Sequence, residues 1–315
     1  MTTLLVLQLT LPLILVGWIA LAPLRSRLGF ATVVAATACV LLSIGLVGIA
    51  LFPPWWTPYA FGLLLVPAAL IGLARRRPFR SVLPASSWGW VITALLLTTS
   101  LAAVYLSAGA VAGRSPASGK VVELRFPLTA GTYLIASGGS NLRINPHLMT
   151  LDPGERRFAA WLGQSYGIDI VKIDRFGLRA AGLLPAEPGA YEIYGATVLA
   201  PCAGEVVVAI DGLPDMRVPE ADRNHLAGNH LILRCGDVDV LLGHLRPGSF
   251  KVVAGMRVDA GQHLASVGNS GNTSEPHLHI HAQQPGTPNE PISGSPLPIR
   301  LDGRFLVRND RVVVP

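Results

Sequence analysis

The chain has 315 residues, 50% hydrophobic and only 14% charged, which excludes a disordered polypeptide and allows about two domains. The formal net charge of +6 invites a nucleic-acid reading, but its distribution removes the support for one. Residues 1–112 contain no Asp or Glu and six arginines, Arg25, Arg27, Arg75, Arg76, Arg77 and Arg80; the other 19 of the 25 basic residues equal the 19 acidic ones, so residues 113–315 are formally neutral. The excess charge belongs to short loops in an apolar first third, and no nucleic-acid partner is expected.

Four apolar stretches, residues 3–22, 30–52, 56–74 and 88–112, approach the ~20 helical residues that a hydrocarbon core requires. Pro54, Pro58 and Pro67 crowd the third, which a span tolerates where neighbouring helices satisfy the freed carbonyls. Trp55, Trp56, Trp88 and Trp90 fall at the expected ends, where interfacial aromatics belong. The arginines fill the first and third loops and leave the second uncharged, so four spans put both chain ends, and the large carboxy-terminal region, outside the cytoplasm. A cleaved signal peptide carries its positive charge before the apolar run; here the charge follows it. No Asp, Glu, Lys, Arg or His lies within the four spans, so a lipid-embedded anchor is expected rather than a transporter with a sensory outer domain.

Residues 113–119 form a short polar linker, after which brief apolar runs alternate with Gly, Pro, Asn and Asp. Runs at 120–126, 131–136, 167–173, 204–210, 230–234, 238–242 and 277–282 predict strands of a β-sandwich or barrel, and only residues 153–162 predict a short helix. Cys202 and Cys235 fall at expected strand ends in a compartment where a disulfide is permitted, and Cys39 lies in a span, so no thiolate zinc finger is available.

All eight histidines are in this half: His147, His225, His230, His244, His263, His277, His279 and His281. On a strand, residues two apart share a face, so His277, His279 and His281 would project together with Leu278 and Ile280 behind them. A shared face is what a metal site needs; the plainer alternative is three unrelated surface histidines on an edge strand. Upstream, residues 266–274 are rich in Gly, Asn and Ser and form a turn; no Gly-Lys-Ser/Thr ending supports a phosphate loop.

Residues 252–262 with Gly255 and Gly261, then Val267-Gly-Asn-Ser-Gly-Asn272, then Pro276-His-Leu-His279, resemble in order the ending of the lysostaphin-type, LytM-like zinc metallopeptidases. Ala200-Pro-Cys-Ala-Gly-Glu-Val206, Gly228-Asn-His-Leu-Ile232 and Leu242-Gly-His-Leu245 are similar to earlier pieces of that pattern, and the resemblance covers residues 120–285. It implies a LytM-like antiparallel β-sandwich or barrel over residues 120–315, which follows the transmembrane anchor of four helices that the apolar stretches predict over 1–112. It also implies a single Zn2+, with His279 and Asp169 as ligands and His244 and His277 as catalytic histidines. Most members carry their first ligand in His-x-x-x-Asp, a position held here by Ser165 in Ser165-Tyr-Gly-Ile-Asp169. Gly138-Gly-Ser-Asn-Leu-Arg-Ile-Asn-Pro-His147 resembles a subgroup that supplies this ligand from an Asn-x-His loop, which points to His147 with Asn145 orienting the loop; His230 is the next candidate. Asp174 rivals Asp169 but reads as a turn or ion-pair residue. His225 reads as solvated and His263 as a surface strand residue, and His281 stands where many relatives have Glu, behind the ligands.

Two histidines and one aspartate form the donor set of a catalytic rather than a structural zinc. The resemblance implies a membrane-anchored zinc endopeptidase of the bacterial cell membrane, its carboxy-terminal domain facing peptidoglycan stems or cross-links. The alternative is a noncatalytic LytM-like regulator of other cell-wall hydrolases.

Overall fold

The computed structural model describes residues 5–21, 26–51, 53–75 and 79–315. These fall into two compact units, Met1–Val111 and Ala112–Pro315.

The first unit contains helices α1 (Val6–Leu21), α2 (Arg27–Val47), α3 (Thr57–Arg75) and α4 (Ser87–Ala112). By length and composition α2, α3 and α4 are long and apolar enough to cross a membrane, whereas α1 is shorter. Residues 3, 4, 22 and 52 of the expected spans, and Arg25, Arg76 and Arg77 of the expected loops, lie outside the described residues. The second expected span begins earlier than its apolar run, because Ser26 caps α2 by accepting a hydrogen bond from Gly29 N at 3.1 Å. Val16, Ile19, Val33, Ala36, Phe61, Ala68 and Leu96 pack between the helices. Leu63 and Leu101 point outward at 78% and 72% exposure, so the unit is apolar on its outside as well as its inside. The hydroxyls of Thr37, Thr93, Ser100 and Ser107 donate to carbonyls one turn back and need no solvent.

The second unit is built on a nine-stranded sheet of order β13-β2-β3-β10-β7-β6-β5-β8, with β11 pairing on β10. Its strands are β2 (Gly131–Ser137), β3 (Ile168–Ile173), β5 (Gly204–Ile210), β6 (His230–Cys235), β7 (Val238–Gly243), β8 (Arg257–Val258), β10 (Leu278–Gln283), β11 (Pro296–Leu297) and β13 (Arg311–Val314). Two ribbons, parallel β1 (Val122–Leu124) with β12 (Ile299–Leu301) and antiparallel β4 (Thr197–Leu199) with β9 (His263–Ser266), complete the domain. Alternation puts Ile168, Ile170, Leu231, Val240, Leu278 and Ile280 on one face of the sheet, where they form the core with Val198 and Leu264 of the ribbons. The disulfide Cys202–Cys235 ties the entry of β5 to the end of β6.

The expected barrel is not formed. The sheet runs as an open path from β13 to β8, and β8, only two residues long, offers almost no edge for closure. The opposite face of the sheet carries Asp169, His279, His281 and Gln283, a polar surface that a filled barrel would have to enclose. The expected helix at 153–162 is a single turn, α5 (Arg156–Ala159), flanked by 3-10 turns Pro146–Leu151 and Leu162–Tyr166.

Candidate metal centre

β3 and β10 are antiparallel neighbours with Asp169 directly opposite His279, so both side chains stand on the face away from the core. Asp169 Oδ1 lies 2.9 Å from His279 Nδ1. No residue larger than glycine fits before β3, since a Cβ at Gly167 would come 2.5 Å from the His279 ring. Along β10, His281 follows on the same face, and its Nδ1 lies 2.9 Å from His279 Nε2.

His147 arrives from the 3-10 turn Pro146–Leu151, capped by Asn145. The fully buried Asn145 amide donates to Gly139 O and Gly167 O at 3.0 and 3.1 Å, which fixes its Oδ1 as the acceptor for His147 N and His147 Nδ1. The His147 ring is thereby held with Nδ1 protonated, and its Nε2 carries the free lone pair 3.4 Å from Asp169 Oδ2. Ser165 does not face this group. Its hydroxyl lies 2.6 Å from Leu162 O and 2.8 Å from Thr150 Oγ1, and Thr150 Oγ1 lies near His147 O; two hydroxyl protons serve these three contacts, and the Ser165–Thr150 contact bolts the two 3-10 turns together.

The other two histidines close the group from the loop side. β7 ends at Gly243, and His244 takes a left-handed backbone at φ 61°, a conformation uncommon outside glycine that turns its ring back over the sheet. His244 Nδ1–H donates to Ser270 O at 2.9 Å, and His277 Nδ1–H to Glu275 O at 2.9 Å, so in both rings it is Nε2 that is left to face the cluster. The His244 and His277 rings are 4.6 Å apart, and His277 Nε2 is 3.4 Å from Asp169 Oδ1. Beneath His277, the Glu275 carboxylate is gripped by Arg179 through Nε at 2.8 Å and Nη2 at 2.8 Å, a buried bidentate pair.

Burial lowers the His147 ring to about 4, although the Asp169 charge opposes the shift. His244 is held well below its ordinary value by burial and by its histidine neighbours, and so is His281. Burial acts against protonation of His277 too, but the Asp169 carboxylate outweighs it and the ring shifts upward. Asp169 is buried, which favours its neutral form, yet the charges of His147 and His277 win and hold it well below the usual carboxylate range.

The structure therefore brings His147, Asp169, His244, His277 and His279 into one cluster. One ligand atom each from His147, Asp169 and His279 lies within 4.8 Å of the others. Two imidazoles and one carboxylate are the donor chemistry that zinc accepts, so the residues fit that ion. They line a cleft of about 310 Å³ whose apolar wall includes Phe158, Trp161, Leu226 and Ile292. The remaining histidines are elsewhere. His230 donates to Gly228 O and lines a neighbouring groove, His225 pairs with Asp222 at 2.6 Å, and His263 is exposed on β9. Asp174 accepts from Phe176 N and Leu178 N and is a turn residue. Arg179 and Glu275 were not singled out from sequence; the one available signal was the acid directly before Pro276.

Residues 191–291 match the model of Peptidase family M23. This segment includes His244, His277, His279 and His281, whereas His147 and Asp169 lie upstream of it. Among solved structures, the chain is similar to a zinc-containing peptidase from Vibrio cholerae, at 20% identity over 37% of this chain and 46% of that one, with a TM-score of 0.23. It is similar to a putative peptidase M23 from Pseudomonas aeruginosa at 18% identity, 57% and 54% coverage and a TM-score of 0.28. The antimicrobial peptidase lysostaphin from Staphylococcus simulans matches at 23% identity, 31% and 40% coverage and a TM-score of 0.23. The chain thus spans about half or less of the length of these structures. No curated protein matches the sequence.

Proposed function

We propose, on the premise that residues 191–291 carry the peptidase family M23 pattern, that this protein is a membrane-anchored zinc metalloendopeptidase acting on peptide bonds of peptidoglycan stems or cross-links. The observation that supports this most is the convergence of His147 Nε2, the Asp169 carboxylate and His279 Nδ1 beside two further histidines whose Nδ1 atoms are held by backbone carbonyls. His147, Asp169 and His279 hold the zinc, which when bound supplies Lewis-acid polarisation of the scissile carbonyl and an activated water. His244 and His277 exchange protons with the reacting groups through Nε2 and donate hydrogen bonds to the developing oxyanion. Their backbone-bonded Nδ1 atoms keep each ring in one tautomer and one orientation, so little reorganisation accompanies the proton transfers.

The anchor in this reading is four membrane-crossing helices, and the arginines of the first and third loops favour an orientation with the domain of residues 120–315 outside the cytoplasm. The test is incubation of the full-length protein in detergent with purified peptidoglycan, with mass spectrometry of the released fragments. New peptide amino termini that require zinc and vanish in His277→Ala are expected. A folded, zinc-loaded protein that releases nothing, yet stimulates another wall hydrolase, would favour the noncatalytic regulator.

A further inference from the structure

α4 ends at Ala112, and the residues directly after it are not a free tether. Gly113 is buried against residues 138–145, the loop that leads from β2 to Asn145 and His147. Its carbonyl accepts from Ser140 N at 3.0 Å, and the Ser140 hydroxyl donates to Ser115 O at 2.7 Å, the shorter of its two carbonyl contacts. The approach leaves no room for side chains. A Cβ at Gly113 would fall 2.6 Å from Asn141 Nδ2, and one at Gly139, whose φ is 113°, would fall 2.5 Å from Ile144 Cδ1 and 3.0 Å from Gly113 O. Arg114 adds a second tie, an ion pair with Asp310 at 2.5 Å. Asp310 also accepts from Val307 N, and Arg308 of the same turn donates to Ala136 O before the loop and to Arg143 O within it.

Two rigid planes connect Gly113 to His147. Gly139 C=O and Ser140 N–H belong to one trans peptide, on which the carbonyl and the N–H point in opposite directions. Gly113 O holds its N–H and Asn145 Nδ2 holds its carbonyl, at 3.0 Å each, so this plane cannot turn without giving up one bond or the other. The second plane is the Asn145 amide. Its two N–H groups go to Gly139 O and to Gly167 O at the entry of β3, and its oxygen lies 3.2 Å from His147 N and 2.9 Å from His147 Nδ1. Gly139 and Asn145 are both buried, so water does not replace a bond lost here. A displacement of Gly113 is passed along these planes to the His147 ring.

Resting on the reading of His147 as a zinc ligand, we propose that Gly113 and Ser140 are positioning residues of the metal centre: by holding the Gly139–Ser140 peptide they hold the Asn145 amide, and through it the ring of His147. The residues that join the domain to α4 are then part of the metal site, and metal affinity depends on the path by which the chain leaves that helix. Outer partners of a ligand typically change affinity by roughly 10–100-fold, and with two planes between Gly113 and the ring the effect belongs at the lower end.

The experiment is zinc competition against a chelator with the full-length protein in detergent, with urea unfolding of each variant in excess chelator. Gly113→Val, which drives Gly113 and Asn141 apart, should bind zinc roughly tenfold more weakly. Gly113→Ala should shift in the same direction by less. Ser118→Val, at an exposed position of the same segment, should bind zinc as the wild type does. Val258→Ala opens a cavity at β8, the opposite edge of the sheet from β13 and β2, and should lower stability while the folded protein keeps its zinc affinity. A packing role alone would make Gly113→Val behave like Val258→Ala. Wild-type affinity in a folded Gly113→Val, or in Gly113→Ala where the valine variant does not fold, overturns the proposal alone. A folded wild type that holds no zinc overturns the underlying assignment of the ligands, and the proposal with it.

Discussion

Asp169 and His279 face each other across the antiparallel β3–β10 pair, with Oδ1 and Nδ1 2.9 Å apart. Both side chains lie on the same face because the register pairs them directly; a slip of one residue in either strand would send one of them into the core. The register is held by Ile168, Ile170, Leu278 and Ile280, which alternate with them and are nearly fully buried. The same apolar pattern that drives the fold therefore sets the distance between the two groups.

His147 joins them only through a prop. Ser165→Ala removes a buried hydroxyl that meets Leu162 O and Thr150 Oγ1, so a loss of about 1 kcal/mol in unfolding free energy is expected, without loss of bound zinc. Urea unfolding and metal analysis of the variant check both halves. Asn145→Ala should do more, because it releases the His147 ring as well as the carbonyls of Gly139 and Gly167.

The Arg179–Glu275 pair is buried, and removing one partner strands the other. Arg179→Met is expected to cost about 3–5 kcal/mol of stability. If the folded fraction is isolated, turnover should fall further than zinc content, because Glu275 O is the acceptor that orients His277.

Acid should weaken the zinc-free protein well before its carboxylates titrate. His147, His230, His244 and His281 all have lowered values in the fold, His147 from 6.5 to about 4, so below about pH 6.5 the unfolded chain binds more protons than the native one. Stability from these groups falls as pH falls through that window. His277 is raised and opposes them alone, and Asp169, being lowered, loses its contribution only below the ordinary carboxylate value of 3.8. Thermal midpoints measured with chelator between pH 7.5 and 5, on the order of those histidine values, should drop steadily; a flat profile would contradict the burial described for these rings.

The disulfide closes a separation of 33 residues between the entry of β5 and the end of β6. Replacing Cys202 and Cys235 by Ala together should lower unfolding free energy by about 3–4 kcal/mol on loop-closure grounds. Zinc content at 25 °C, the reference temperature of roughly all such magnitudes, should not change.

The sequence made some of this visible and hid the rest for physical reasons. His279 and His281 could be assigned to one face because strand alternation is local, and the long apolar helices announced themselves through composition alone. The openness of the sheet was not readable, since closure depends on what β8 and β13 can pair with, and strands of two and four residues carry almost no pattern. His147 was reachable only through the Asn145-x-His147 resemblance, because its approach to Asp169 depends on a fold-back secured by Ser165 and Thr150. The role of Ser165 as a bolt rather than a failed ligand needed its neighbours in view. Arg179 and Glu275 are 96 residues apart, and no local spacing relates them.

The most direct test is a zinc titration of the full-length wild type beside His147→Ala, with folding of each verified independently. The account predicts a single tightly held zinc per chain in the wild type and none retained by His147→Ala. Zinc held with equal strength by a folded His147→Ala would contradict it, because the third ligand would then have to come from outside the group formed by His147, Asp169 and His279.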